Sequence, residues 1–145
     1  MKVCVYHSHY HRIGGVETST FNLCKLLSQY YDVTLMFGTC DAMHKILDLP
    51  CRILKFDPQK QYNFDVVILE SCWGIIPLKN LNADKIIQII HADFKVLDEL
   101  AKTQCLPNIR NPKITHYVAV SNHVKETFEE LTGIKIDKVI QNIVC

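Results

Sequence analysis

Seven short runs of apolar, largely β-branched residues recur along this chain of 145 residues, at 2–6, 32–37, 52–56, 65–69, 85–90, 116–120 and 138–144. Several are apolar at consecutive positions, as in Val66-Val67-Ile68-Leu69 and Ile86-Ile87-Gln88-Ile89-Ile90. Continuous rather than alternating hydrophobicity marks strands covered on both faces, the situation of a parallel sheet between layers of helices. Helical patterns separate the clearest runs. Val16, Leu23, Leu26, Leu27 and Tyr30 share one stripe, with Glu17 in the first turn where the helix dipole favours an anion. Ser121 is a good N-cap for a second helix, in which Val124, Phe128 and Leu131 recur at three- and four-residue steps before Gly133 ends it. Strand-helix alternation predicts right-handed βαβ units in an α/β, doubly wound, mainly parallel sheet with helices on both faces. Residues 94–102 read as a further helix and 41–49 as a short one; 58–63 reads as a polar loop and 71–82 as a mixed segment.

Composition narrows the class. A chain of this length is expected to form one domain with a single core. The net charge of +1, with acids and bases interleaved, provides no footprint for nucleic acid or an anionic membrane. No apolar run approaches the roughly 20 residues of a membrane span, so a soluble, cytoplasmic protein without a transmembrane segment is expected. The seven cysteines are odd in number and form no CxxC pair. They read as free, mostly buried thiols rather than a disulfide framework or a zinc ribbon.

In doubly wound sheets, ligands bind beyond the carboxyl ends of the strands near the topological switch point. The residues after each run therefore carry the functional reading. They are His7, His9, His11, Arg12, Gly14 and Gly15 after the first; Glu70 and Ser71 after the fourth; His91 and Asp93 after the fifth; Ser121 and Asn122 after the sixth. Gly14 and Gly15 lack a Cβ, so a phosphate or sugar can approach the amides at the helix start. GxGxxG and Walker motifs are absent, which disfavours dinucleotide or P-loop nucleotide binding. In an extended segment His7, His9 and His11 project to one side, and three imidazoles can hold zinc, as in a metal-dependent hydrolase. The acid that completes HxHxDH is missing, since Tyr10 and Arg12 flank His11, and no metal is assigned. His91 should emerge at the sheet's carboxyl edge, where an imidazole can orient a hydroxyl or act as a base. Ser121 reads more simply as a helix cap than as a ligand group. A non-catalytic α/β binding module is a further alternative.

A first strand, GGVET opening a helix, a strand ending IIQIIHADF, and then HYVAVSNHVKETFEELTGI and DKVIQNIV together resemble the amino-terminal domain of GT-B glycosyltransferases of the retaining family 4 type. The resemblance runs over essentially the whole chain. It implies a Rossmann-like, acceptor-side half of a two-domain enzyme that moves a sugar from a nucleotide-sugar, its co-substrate, to a glycan, lipid-linked or small-molecule acceptor. No other cofactor is implied. By position, Gly14, Gly15 and Ser121 match residues near the donor diphosphate and sugar, and His91 matches the histidine beside the transferred sugar. His9, Tyr10, His11, Arg12, Glu17 and Asp93 become candidates for acceptor recognition. The family's donor-binding carboxy-terminal domain is not in this chain, and the family's Pro-Asn-Gly after the last strand is here Gln141-Asn142-Ile143. The isolated chain is accordingly expected to transfer little, and the full-length enzyme to be cytoplasmic or peripheral to the membrane.

Overall fold

A computed structural model describes residues 1–10, 15–40 and 46–141. Each of the seven apolar runs contributes a strand: β1 (Lys2–Tyr10), β2 (Asp32–Cys40), β3 (Arg52–Lys55), β4 (Tyr62–Leu69), β5 (Leu81–Ile90), β6 (His116–Ala119) and β7 (Lys138–Val139). They form one parallel sheet in the order β3-β2-β1-β4-β5-β6-β7. Strands added from β1 proceed in one direction to β3 and in the other to β7, so the switch point lies between β1 and β4. Right-handed crossovers running in opposite directions put their helices on opposite faces. The fold is therefore a Rossmann-like, doubly wound α/β sheet.

Among the described residues three helices accompany it, α1 (Gly15–Leu27), α2 (Glu99–Ile109) and α3 (Asn122–Thr132). Alternate strand residues divide the core. Val3, Val5, Val33, Leu35, Ile68, Ile89 and Val118 share a cluster with Cys24 of α1. On the other face, Ile90 and Ala119 pack with Cys105 and Ile109 of α2 and with Val124 and Phe128 of α3. Phe94 meets Phe128 edge to face at 5.3 Å between centroids. Below β1, β2 and β4 on that second face, Cys4, Tyr6, Met36, Val67 and Leu69 are covered by Leu78, with Ile76, Phe56 and Tyr62 packed against them. Irregular chain does there what a helix does elsewhere.

Element ends depart from the apolar pattern in ways that matter for the site. β1 continues to Tyr10, in register with an equally long β2 through His7↔Phe37 and His9↔Thr39, so both histidines are strand residues rather than loop residues. The helix expected over 94–102 starts at Glu99, because Asp98 caps it by accepting from the Ala101 amide at 2.8 Å. It then runs past the expected end and contains Pro107 in its last turn, where the ring leaves the Thr103 carbonyl without the amide donor that another residue would supply. Ser121 caps α3 at the Val124 amide, 3.1 Å away, and Gly133 ends it at φ +73°, a left-handed conformation suited to glycine. Most of the short helix expected at 41–49, and residues 142–144 of the last run, lie outside the described residues. No helix among the described residues is long and apolar enough to cross a membrane.

Candidate functional site

At the carboxyl edge of the sheet, around the switch point, the ends of β1, β4 and β5 and the start of α1 enclose a cavity of about 390 Å³. His7, Ser8 and His9 line it from β1, Glu17 from α1, Glu70 to Trp73 from the segment after β4, and Ile89, His91 and Ala92 from β5 and its end. These side chains converge because three adjacent parallel strands finish at one edge and α1 starts there.

Two imidazole-carboxylate pairs stand on this cavity. His91 Nε2 lies 2.7 Å from Glu70 Oε2, with the His91 side chain 14 % exposed and that of Glu70 wholly buried. An ionised carboxylate only accepts, so Nε2 carries the proton in this contact. In the neutral ring Nδ1 is then the acceptor, free in chemical terms to take a hydroxyl proton. Glu70 Oε1 has no hydrogen-bond partner among the described residues. The second pair, His7 Nε2 and Glu17 Oε1, is looser at 3.4 Å and is also buried. His9 Nδ1 is in short contact with Thr39 Oγ1.

Glu70 is fixed from behind. Its amide donates to the Tyr6 carbonyl at 2.9 Å, joining β4 to β1. The fully buried Gln88 donates through Nε2 to the carbonyls of Leu69 and Ser71, both at 3.3 Å, so it holds the chain on either side of Glu70. A buried amide in a strand is expensive unless its polar atoms are used. Here its donor group is used to set the β4 end. Ser71 Oγ accepts from the Ser8 amide and lies 3.3 Å from Ser8 Oγ, closing the gap between β1 and β4. The Tyr6 hydroxyl donates to Ile75 further along the same segment, and burial pushes the phenol up to about 12.

Tertiary folding also pairs cysteines that are remote in sequence. Cys72 packs in one core cluster with Cys105, and Cys51 in another with Cys24. The neighbouring Cys105 thiol, together with burial, drives the Cys72 thiol up, while Cys72 holds that of Cys105 down. The thiols of the described cysteines are free, as expected from their spacing.

His9, Glu17 and His91 are thus brought to one cavity with His7. Asp93 is turned elsewhere: it accepts from His123 Nε2 of α3 at 2.5 Å, which holds its carboxyl below the usual range. The Ser121 hydroxyl is engaged as the α3 cap and does not line the cavity. Gly15 begins α1 and Tyr10 ends β1. Gly14, His11 and Arg12 lie outside the described residues, so the three-histidine arrangement is described only in part. Among the described residues no group of three or more His, Cys, Asp or Glu is arranged to hold a metal ion. Sequence reading missed Trp73. The signal was there, since the chain's single tryptophan stands four residues beyond an apolar strand.

A shallower hollow of about 440 Å³ adjoins across β1, lined by Tyr6, Gly38, Thr39 and Phe56 and sharing Ser8 and His9. A Cβ on Gly38 would come within 2.8 Å of the Ser8 carbonyl oxygen, so the close approach of β2 to β1 here depends on glycine. A third, apolar hollow of about 510 Å³ lies between α1 and the sheet, beside Leu23, Leu27, Ile68 and Ile87, away from these polar groups. In comparisons with protein-family models, curated proteins and solved structures, nothing matches the chain significantly.

Proposed function

We propose that this chain is the acceptor-side half of a glycosyltransferase, which transfers a sugar from a nucleotide-sugar to an acceptor hydroxyl. The observation that carries the reading is the buried Glu70-His91 pair, held at 2.7 Å at the carboxyl edge beside the switch point. This is the position at which the resemblance to family 4 enzymes expects a histidine next to the transferred sugar. The strand order adds support, because it is the order of a Rossmann-like nucleotide-handling sheet.

In this reading Glu70 holds the His91 ring by accepting from Nε2, and Nδ1 accepts from a hydroxyl of the donor sugar and orients it. The bond between the anomeric carbon and the diphosphate oxygen breaks, and the acceptor oxygen bonds to that carbon. The acceptor proton passes to the departing diphosphate. Stabilising that leaving group is the largest protein contribution, supplied by amides at the start of α1 and by the donor-binding domain that this reading requires.

The test uses the polypeptide from the complete open reading frame, assayed for nucleotide release and glycoside formation over a panel of nucleotide-sugars. His91→Gln retains an N–H for Glu70 but loses the imidazole, and is expected to lower turnover about 100-fold. Full turnover by His91→Gln, or no sugar transfer from any donor by the wild type, refutes the proposal.

A further inference from the structure

Trp73 is 43 % exposed at the cavity, although it is the chain's only tryptophan and an indole gains most from burial. Its backbone is nevertheless held on both sides. Asn108 Nδ2, projecting from α2, donates to the Cys72 carbonyl at 2.7 Å and to the Gly74 carbonyl at 3.1 Å. Gly74 turns the chain at φ +72°, a left-handed conformation that other residues seldom adopt. The Cys72 side chain packs in the core with Cys105 of the same helix, and the Tyr6 hydroxyl holds the Ile75 carbonyl at 3.0 Å. A large aromatic side chain left half in water, on a segment tied down through the carbonyls of Cys72, Gly74 and Ile75, is preorganised for contact with a ligand.

The chemistry of the surroundings narrows what that is. The cavity that Trp73 borders is also lined by the hydroxyls of Ser8 and Ser71 and by His91; among the described residues its carboxylic acids are Glu17 and Glu70, and no Lys or Arg lines it. Hydroxyl and imidazole groups suit a ligand rimmed with hydroxyls. Buried carboxylates disfavour an anion. A pyranose has such a rim together with an axial C–H face, and C–H groups are drawn to the negative face of an indole ring.

We propose that Trp73 is a stacking platform for the pyranose ring of an uncharged sugar, with Ser8, Ser71 and His91 taking its hydroxyls. The proposal deepens the glycosyl-transfer reading and rests on it for the assignment of a sugar as the substrate. It assigns this cavity to a neutral glycosyl unit rather than to the diphosphate or the nucleobase.

The single tryptophan makes the test direct. The chain is titrated with methyl hexopyranosides of gluco, galacto and manno configuration and with methyl N-acetylglucosaminide, reading intrinsic fluorescence and saturation-transfer NMR. At least one neutral glycoside is expected to shift the emission saturably, with glucuronate and uridine weaker by about tenfold or more. Trp73→Ala should weaken the same glycoside about tenfold by NMR with an unchanged far-UV spectrum, and Trp73→Phe should restore most of the binding. The proposal is overturned if no neutral glycoside binds, if Trp73→Ala binds as the wild type does, or if glucuronate or uridine is preferred. Sugar binding through Trp73 without transfer by the full-length enzyme refutes the transferase reading alone. Transfer that is indifferent to Trp73→Ala refutes the platform alone.

Discussion

Replacing His91 by alanine should unfold this domain more readily as well as disarm it. The Glu70 side chain is wholly buried and His91 is the partner of its Oε2, while Oε1 has none among the described residues. Removing the imidazole leaves a carboxylate in a low-dielectric site, and breaking a buried pair from one side costs about 3–5 kcal/mol. The alternative open to the variant is to protonate the acid. For an ordinary glutamate at pH 7 that costs about 4 kcal/mol, from roughly 2.7 units at about 1.36 kcal/mol each. The two routes agree, so a loss near 4 kcal/mol is expected, a large part of the roughly 5–15 kcal/mol that holds a domain together. With a urea slope of about 2 kcal/mol per molar, the unfolding midpoint should fall by about 2 M. The deficit should shrink in Glu70→Leu/His91→Ala, which removes both partners. Urea unfolding at pH 7 followed by circular dichroism measures this. The reasoning fails if His91→Ala shifts the midpoint by less than about 0.3 M, or if the double variant is no more stable than the single one.

Ser121→Ala should destabilise the unliganded chain by about 1 kcal/mol, the usual cost of losing an N-cap hydroxyl; unchanged thermal stability would instead favour a purely ligand-binding serine. Tyr6 gives the alkaline limb. Its phenol is pushed from 10.0 to about 12 by burial, so the folded state keeps a proton that the unfolded chain has released. That contribution is complete below about pH 10 and is lost as pH rises through 12, about 3 kcal/mol in all for two units. Burial raises the Cys4 thiol in the same sense. Tyr6→Phe should flatten the fall in urea midpoint between pH 9 and 11, and an unaltered slope would remove Tyr6 as its cause.

The strands were legible because a sheet covered on both faces needs apolar residues at successive positions, and Val66 to Leu69 or Ile86 to Ile90 satisfy that wherever they are placed. The cap at Ser121 and the stop at Gly133 were legible for a similar reason, since both act within a few residues. Boundaries were less so. β1 extends through His7 and His9 because β2 continues beside it, and α2 begins late because Asp98 competes as a cap. Neither effect is a property of one segment's hydrophobicity.

The site divides in the same way. By itself the sequence determined which polar residues end up near a strand's carboxyl end, among them His91, Glu70 and Ser71, because alternation of strand and crossover sends every parallel strand to finish at one edge. It did not determine which of them meet. Glu70 finds His91 across 21 residues, Asp93 turns instead to His123 across 30, and Asn108 reaches 34 and 36 residues back to hold Trp73 in place. Only the tertiary structure decided these, because strand order and register fix which ends are neighbours. Burial then makes an unpaired carboxylate or amide too costly to leave without a partner.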